Sequence, residues 1–559
     1  MRRYSIKIRG IILLIGGGIL LNGILSMYAW LPEYRFLSLF KPSVELAVIY
    51  LPLFGISFLR KKTSGILAAV ITLVVVVLFF YSLGETVTRH LYRRSFSPWE
   101  DLRYFPEFFR LLFDTRAPAK ATLYITASCF VLGLLCIGIY FLLMQILQGT
   151  RKMWHPFRLL AVFYGFFLLM VAVFGYGYSF RDNLFTRLSA AATPSHTERA
   201  ALTVESGTEE IYQTDGEKNS LSLLRNRNVL LFVVESYGYT AFSKEDHFVL
   251  LKPFFEETEK KLRAAGYDLT SNFLGSPVIG GYSWFADATF LCGERIRSTD
   301  AYNALLSSDR ATLVDFFNES GYETVLVAPG TLEPWPEGER FYGFDRYFYA
   351  ASFDYRGPEF SFVPITDQFA VHTAHETLLA GKEGPYFIEY LLVSSHAPFN
   401  RIPAYVEEWE DLGDGSIYNT LEMRQFQNTW VYGKEYTEGY TAAVRYVLTV
   451  LSEYLARFIH DDALIIIIGD HQPKFPVTEK GTPLSVPIHV ICRDSEVVDG
   501  FEEYGFQEGI IPAQNPPHRG MEAFLPLFLR LFSDTDGIDP ATGNKKSHAS
   551  DDGSQPALD

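Results

Sequence analysis

The sequence predicts two parts: an α-helical membrane domain of five transmembrane helices, then an α/β domain with a mainly parallel sheet covered by helices on both faces. Three observations carry this. Long uncharged apolar runs crowd the first 180 residues of a 559-residue chain. From residue 228 onward, short continuous apolar runs alternate with amphipathic stretches. Alternation of strand and helix implies parallel pairing, and strands buried on both faces read as unbroken apolar runs.

The membrane part spans residues 1–180, with helices expected near 10–31, 43–59, 63–83, 121–148 and 157–179. Each can cross about 30 Å of hydrocarbon. The first run is long and lacks a small-residue cleavage site, so it reads as a span and not a removed leader. Arg2, Arg3, Lys7 and Arg9, then Arg60, Lys61 and Lys62, then Arg151, Lys152 and Arg158 fall on one side if five helices span. Basic short loops stay in the cytoplasm. An odd number of spans then puts everything after residue 180 outside, in the periplasm or at the cell surface of a bacterial envelope. Residues 84–120 mix seven basic residues with acidic ones. Within them, WEDLRYFPEFFRLLF reads either as an amphipathic helix on the membrane surface or as a plain connector.

Residues 181–227 are polar and read as a linker. The second domain is expected over 228–533, with a disordered tail rich in Asp, Gly, Ser and Lys over 534–559. The net charge of −15 and the lack of a basic stripe exclude a nucleic-acid partner. No GxxxxGK[ST] loop is present, so no ATP site is expected. Of the four cysteines, Cys129 and Cys136 lie in an apolar run; Cys292 and Cys492 are the two able to pair if the domain is exported.

In the second domain NVLLFVVES predicts a buried strand and FVLLKPFFEETEKKLRAA (248–265) a helix. TLVDFFNESG predicts a helix ending at Gly321, followed by the strand YETVLVAPG. YFIEYLLVSSH is another strand, 437–459 a long helix, and ALIIIIGDH the strand after it. Ligands of open α/β sheets bind beyond the carboxyl ends of the strands. Three of these strands end in Glu235, in His396 and in Asp470–His471. A carboxylate beside an imidazole offers oxygen and nitrogen to one divalent ion; the alternative is an Asp–His hydrogen bond capping a loop. Glu235 is costly at a buried strand end unless paired or ligating; the alternative is a residue that has already reached water. In GSPVIGGYSWFADATFLCG (275–293), Gly280 and Gly281 allow a tight turn and Ser283 stands where a helix begins. A helix N-terminus binds anions and can present a hydroxyl nucleophile, although serine is also an ordinary N-cap. Thr289 falls inside that helix and reads as packing.

NVLLFVVES, the Gly-rich hydroxyl-bearing turn, SSHAPF and IIGDH occur in this order, and together they resemble the alkaline phosphatase/sulfatase superfamily. With a five-helix anchor and an outward domain, the layout resembles lipoteichoic acid synthase and phosphoglycerol transferase-type membrane enzymes. The resemblance implies a sulfatase-like fold, metal ligands Glu235, Ser283, Asp470 and His471, and Ser283 as nucleophile. It implies a substrate-contacting and catalytic His396, and a headgroup pocket with Trp335. The implied cofactor is one divalent ion, manganese first, with zinc or magnesium as alternatives. The implied reaction moves a phosphoglycerol-type headgroup from a membrane lipid donor to a glycan or lipid-linked sugar; the alternative is a phosphodiesterase or sulfatase-like hydrolase with water as acceptor. Three departures bear on substrate. The synthases use threonine where this chain has Ser283. They carry a histidine and an arginine near the tryptophan, where APGTLEPWPEGERF has Pro329 and Glu337, with Arg340 as the replacement for the lost charge. Ser283 is followed by Trp284, Phe285 and Ala286, so the x-Pro-x-Arg signal for formylglycine is missing.

Other histidines are weaker candidates. His372 and His375, three apart, fit either a metal or a solvated helical face, and the solvated face is favoured. His489 reads as a satisfied core residue and His518 as a surface loop residue.

Overall fold

A computed structural model of the chain describes residues 16–25, 61–92, 98–101 and 118–151, with isolated positions 46, 49 and 96. It then describes 221–533 apart from 361–362, 382–383, 427–433, 475–476, 480 and 515–518. The chain divides into two units, Met1–Leu202 and Thr203–Asp559.

In the first unit, α1 (Lys61–Tyr92) and α2 (Pro118–Arg151) contain the expected segments 63–83 and 121–148. Among the described residues one helix, Ala68–Thr88, is long and apolar enough to cross a membrane; Gly16–Leu25 and Phe130–Ile146 are shorter apolar helices. The expected spans 43–59 and 157–179 fall almost wholly outside the described residues, as do the linker up to residue 220 and the tail from 534. α1 runs to Tyr92, past residue 84 where the connector is expected to begin. Val75, Leu78 and Tyr81 of α1 pack against Ile139, Leu143 and Ile146 of α2. Val70, Leu73, Val77 and Phe80 of α1 stay exposed, as do Phe130, Leu134, Ile137 and Phe141 of α2. Each helix thus buries one apolar stripe and leaves another bare.

The second unit is built on seven main strands: β1 (Val229–Val234), β2 (Asp268–Gly275), β3 (Glu323–Ala328), β4 (Arg346–Tyr349), β5 (Tyr386–Leu392), β6 (Leu464–Gly469) and β7 (Ser485–Cys492). Across the sheet they run β2-β7-β6-β1-β5-β3-β4, with Gln507–Glu508 extending the β2 edge and Arg519–Gly520 also pairing with β2. From β6 to β4 every pairing is parallel; β7 runs antiparallel to both β6 and β2. All six residues of β1 and of β6 are buried, as central strands of a covered sheet require.

Side chains alternate between two cores. On one face Leu230, Phe232, Val234, Ile465 and Ile467 meet α3 (Glu245–Ala264), which contributes Leu251, Phe255 and Leu262. On the other face Leu231, Val233, Ile466 and Ile468 meet α4 (Ser283–Cys292), which contributes Ala286, Phe290 and Leu291. The first core also takes α8 (Asp367–Leu378) and α9 (Lys434–Phe458). The second takes α6 (Leu313–Glu319) and α10 (Phe524–Phe532). α5 (Thr299–Leu306) adds Tyr302 and Leu305 to a smaller cluster with Phe285 of α4, and α7 (Pro336–Tyr342) adds Tyr342 to the second core. Each fully buried Leu, Ile, Val or Phe contributes roughly 1.5–3 kcal/mol.

The register fixes where chemistry is possible. Val234 pairs with Leu392 on one side and with Gly469 on the other, so β1, β5 and β6 end at one level. Gly469 is obligatory there, because a Cβ would run into the Tyr237 carbonyl. Gly469→Ala is expected to destabilise the domain by about 1–3 kcal/mol through overpacking, measured as a lower midpoint in urea unfolding; an unchanged midpoint would show that the turn after β1 can move aside.

Candidate active site

One residue beyond each of two adjacent strands stands a buried carboxylate. Glu235 follows β1 and Asp470 follows β6; they are 9% and 2% exposed, and His471 beside them 1%. Their ligand atoms all lie within 4.8 Å of one another, the spacing of a single-ion site. The backbone holds each in place. Asp470 Oδ1 accepts the Ser236 N–H at 2.8 Å and the His471 N–H at 2.5 Å, which leaves Oδ2 turned toward His471 Nε2 at 3.5 Å. Ser236 reaches this position with φ at 57°, the left-handed region. His471 Nδ1 donates to the Gln472 carbonyl at 2.9 Å, which turns Nε2 toward the carboxylates. Glu235 Oε1 lies 3.5 Å from that nitrogen.

Ser283 completes the group. Its Oγ donates to Glu235 Oε2 at 3.2 Å and lies 3.3 Å from His471 Nε2. Three consecutive residues of positive φ, Gly280, Gly281 and Tyr282, wind the chain into α4. At Gly280 a Cβ would press on Lys474, so this glycine is needed for close approach as well as for its φ. Ser283 is the first residue of α4, not its cap. The capping position belongs to Tyr282, and no side chain caps the helix. The hydroxyl is therefore directed to the carboxylate and imidazole instead of to its own backbone.

Charge in this group is balanced locally. Burial works to raise the Glu235 carboxyl, but His471, His396 and hydrogen bonds from Ser236 and Asp470 together hold it below the ordinary range. Burial, then the Glu235 charge, raises Asp470. Burial opposes a charged His471, yet Asp470 and Glu235 overcome it and raise its pKa. Two acids and one imidazole around a hydroxyl thus retain a proton where a divalent cation would displace it. The donor set, two carboxylate oxygens, one imidazole nitrogen and one hydroxyl, fits manganese, zinc or magnesium.

His396 follows β5, the third strand ending at this level. It is half-buried, with Nδ1 2.5 Å from the Ala397 carbonyl, and it bears electrostatically on Glu235. Trp335 is half-buried in a second apolar cluster that includes Tyr282 and Phe285. Its ring lies 6.1 Å from Tyr302 and 5.9 Å from Tyr342. Trp335 thus backs the helix that carries Ser283. Arg340 is exposed on α7, and among the described residues no hydrogen bond or ion pair joins it to Glu235, Ser283, Asp470 or His471.

The cysteine pair and the His372–His375 face are corrected, whereas His489 and Thr289 stand as expected. Cys292 and Cys492 are both buried free thiols, in separate parts of the domain, so they do not pair. His372 and His375 form no solvated face. His375 is buried with Nδ1 3.1 Å from Tyr454 Oη, and both rings pack on Phe458, because α9 covers that side of α8. His489 is a satisfied core residue, held by Tyr237 Oη at 3.1 Å and Ser271 Oγ at 2.7 Å. Thr289 packs, its Oγ1 donating to the Phe285 carbonyl at 2.6 Å. His518 lies outside the described residues.

The sequence reading missed a second acid pair. Glu389, in mid-β5, is fully buried, and neither of its oxygens has a well-aligned partner; the same holds for Asp287 Oδ1 on α4. Burial pushes the Asp287 carboxyl up to about 6; burial and the Asp287 charge push Glu389 well above the carboxylate range. A signal was there: Glu389 interrupts the apolar run YFIEYLL, and Asp287 the run WFADATFL.

The sulfatase family model matches residues 227–485. No curated protein is significantly similar to the chain. Among solved structures, the lipoteichoic acid synthase LtaP from Listeria monocytogenes is similar at 15% identity over 57% of this chain and 74% of that chain, with a TM-score of 0.36. The Streptococcus pyogenes phosphoglycerol transferase GacH, in complex with sn-glycerol-1-phosphate, is similar at 12% identity over 56% and 88%, with a TM-score of 0.35. The C-terminal periplasmic domain of the phosphoethanolamine transferase EptC from Campylobacter jejuni is similar at 12% identity over 53% and 95%, with a TM-score of 0.32.

Two outcomes are expected. A divalent ion at 100 times its dissociation constant raises stability by about 2.7 kcal/mol; a rise in Tm with manganese in the wild type, absent in Asp470→Ala, checks it. For the second pair, folded pKa values above the unfolded ones favour the protonated form. Its contribution is therefore complete below the ordinary carboxylate range and is lost as pH rises through about 6 for Asp287. Asp287→Asn is expected to gain on the order of 1–3 kcal/mol over wild type at about pH 7 and nothing at about pH 4; denaturant titrations at both pH values that show equal differences would refute the assignment.

Proposed function

We propose that this chain, which carries a sulfatase-family domain over residues 227–485, is a membrane-anchored, metal-dependent phosphotransferase. It moves a phosphoglycerol-type headgroup from a phospholipid to an acceptor hydroxyl through a covalent intermediate on Ser283. The observation that carries the reading is the hydroxyl of Ser283, at the first residue of a helix, set 3.2 Å from Glu235 Oε2 and 3.3 Å from His471 Nε2. The capping position belongs to Tyr282, so the Ser283 hydroxyl is not committed to capping and meets the carboxylate and the imidazole instead.

In the first step Ser283 Oγ attacks phosphorus, the bond from phosphorus to the lipid alcohol breaks, and the serine proton leaves toward Glu235, which already accepts it in the resting geometry. His396 binds the phosphoryl group or protonates the departing lipid alkoxide. In the second step the acceptor hydroxyl, on a glycan or lipid-linked sugar, attacks the same phosphorus and gives its proton to His396, the bond from phosphorus to Ser283 Oγ breaks, and Ser283 leaves as the alcohol with the proton returned by Glu235. A divalent ion held by Glu235, Ser283, Asp470 and His471, manganese first, would ease deprotonation of the hydroxyl and neutralise charge on the phosphoryl oxygens. Trp335 and Arg340 are assigned to the headgroup pocket. The bare apolar stripes of α1 and α2 favour an anchor in lipid, with five spans and an outward catalytic domain. A lipid donor suits such an anchor.

With the full-length protein in detergent, manganese and labelled phosphatidylglycerol, release of diacylglycerol is expected. Ser283→Ala should lower it at least about 10³-fold, as loss of a nucleophile does. Transfer of label only to an added glycan supports the transferase. Label appearing as free glycerol phosphate at the same rate with or without glycan would replace it by a hydrolase. Turnover unaffected by Ser283→Ala would end the covalent mechanism.

A further inference from the structure

β5 ends at Leu392, and four residues later the chain must present His396 beside Glu235. Backbone that leaves a sheet loses its ladder partners, and its amides need new acceptors. Here the Val393 and Ser394 N–H groups donate to Oδ1 and Oδ2 of Asp367 at 2.9 and 3.0 Å. The Asp367 N–H in turn donates to Ser394 Oγ at 2.9 Å. Asp367 is fully buried and is the first residue of α8, where the helix dipole favours a negative side chain. The same turn then grips the metal-site strand: Ser395 Oγ donates to the Glu235 carbonyl at 2.5 Å, and the His396 N–H closes onto the Val393 carbonyl at 3.0 Å. Hydrogen bonds therefore run without a gap from Asp367, through 393–395, to the backbone of Glu235, with His396 at the end of the turn.

We propose that Asp367 is a positioning residue: its two carboxylate oxygens each hold one amide of the turn after β5 and so set His396 for its work on the phosphoryl group. The inference rests on the role given to His396 above. It explains why an acid is buried at this point. One oxygen could hold one amide, but two amides reaching two separate oxygens need a carboxylate. In Asp367→Asn, either orientation of the side chain turns an NH₂ against a backbone N–H. Ser394→Ala removes the return bond and leaves the carboxylate in place, a milder change in the same direction.

The test uses the full-length protein with manganese and labelled phosphatidylglycerol, with Tm and bound manganese recorded for each variant. Asp367→Asn is expected to lower kcat/KM by about 10–100-fold, the usual cost of losing an orienting partner, with manganese content as in wild type. Ser394→Ala should fall in between. The deciding comparison is made in the His396→Ala background. If Asp367 acts through His396, adding Asp367→Asn there costs nothing further. Losses that multiply, or full activity in Asp367→Asn, overturn the proposal. Should the wild type turn over no lipid, the function assigned above fails, and the positioning role is read separately from the rate of diethyl pyrocarbonate modification of His396, with buried His489 as internal reference. Faster modification of His396 in both Asp367→Asn and Ser394→Ala upholds it; an unchanged rate in both refutes it.

Discussion

Everything in the second unit depends on the parallel pairing of β1 with β5 and with β6. Val234 stands opposite both Leu392 and Gly469. That alignment brings three polar turns, distant in sequence, to one edge of the sheet. A slip of one residue in either pairing would turn each side chain to the opposite face. It would also part Glu235 from Asp470. The unbroken apolar character of β1 and β6 resists such a slip only by composition; Gly469, pressed on the Tyr237 carbonyl, resists it by shape.

The cost of this placement is buried charge. The site offsets it with backbone N–H groups on Asp470, a serine hydroxyl on Glu235 and an imidazole facing both. The second acid pair, Asp287 and Glu389, has no such compensation and holds a proton instead. The two solutions differ as expected of a group with the donors for a cation and one without them. Asp287 is one helical turn beyond Ser283, so the helix bearing the hydroxyl joins both.

How much of this was legible in the sequence follows from the range of the interactions involved. Strand ends announced themselves, because each apolar run stops on a polar residue: VVES, GDH, SSH. Ser283 was legible from the glycines before it, which only make sense if the chain turns sharply there. What escaped was whatever depends on a distant surface. His372 and His375 looked solvated since nothing near them in sequence says that Trp409 and Phe458 cover them. Cys292 and Cys492 looked able to pair since spacing carries no distance. Asp367 drew no reading at all, because its work lies 26 residues away in the turn after β5. The expected spans 43–59 and 157–179 lie almost wholly outside the described residues, and only Ala68–Thr88 meets the length and composition of a crossing helix among those described.

The winding of the chain into α4 puts all its conformational demand on the three residues before the hydroxyl. Gly280, Gly281 and Tyr282 occupy left-handed backbone, while Ser283 already has ordinary helical geometry. Position 283 is consequently tolerant in its backbone and demanding only in its side chain. A threonine would enter the same helical turn with its hydroxyl retained and a methyl added, since β-branched residues are only mildly disfavoured in helices. Serine and threonine are then interchangeable in conformation here, and descent could drift between them without rebuilding the turn, whereas a branched residue at 282 would have to pay for positive φ.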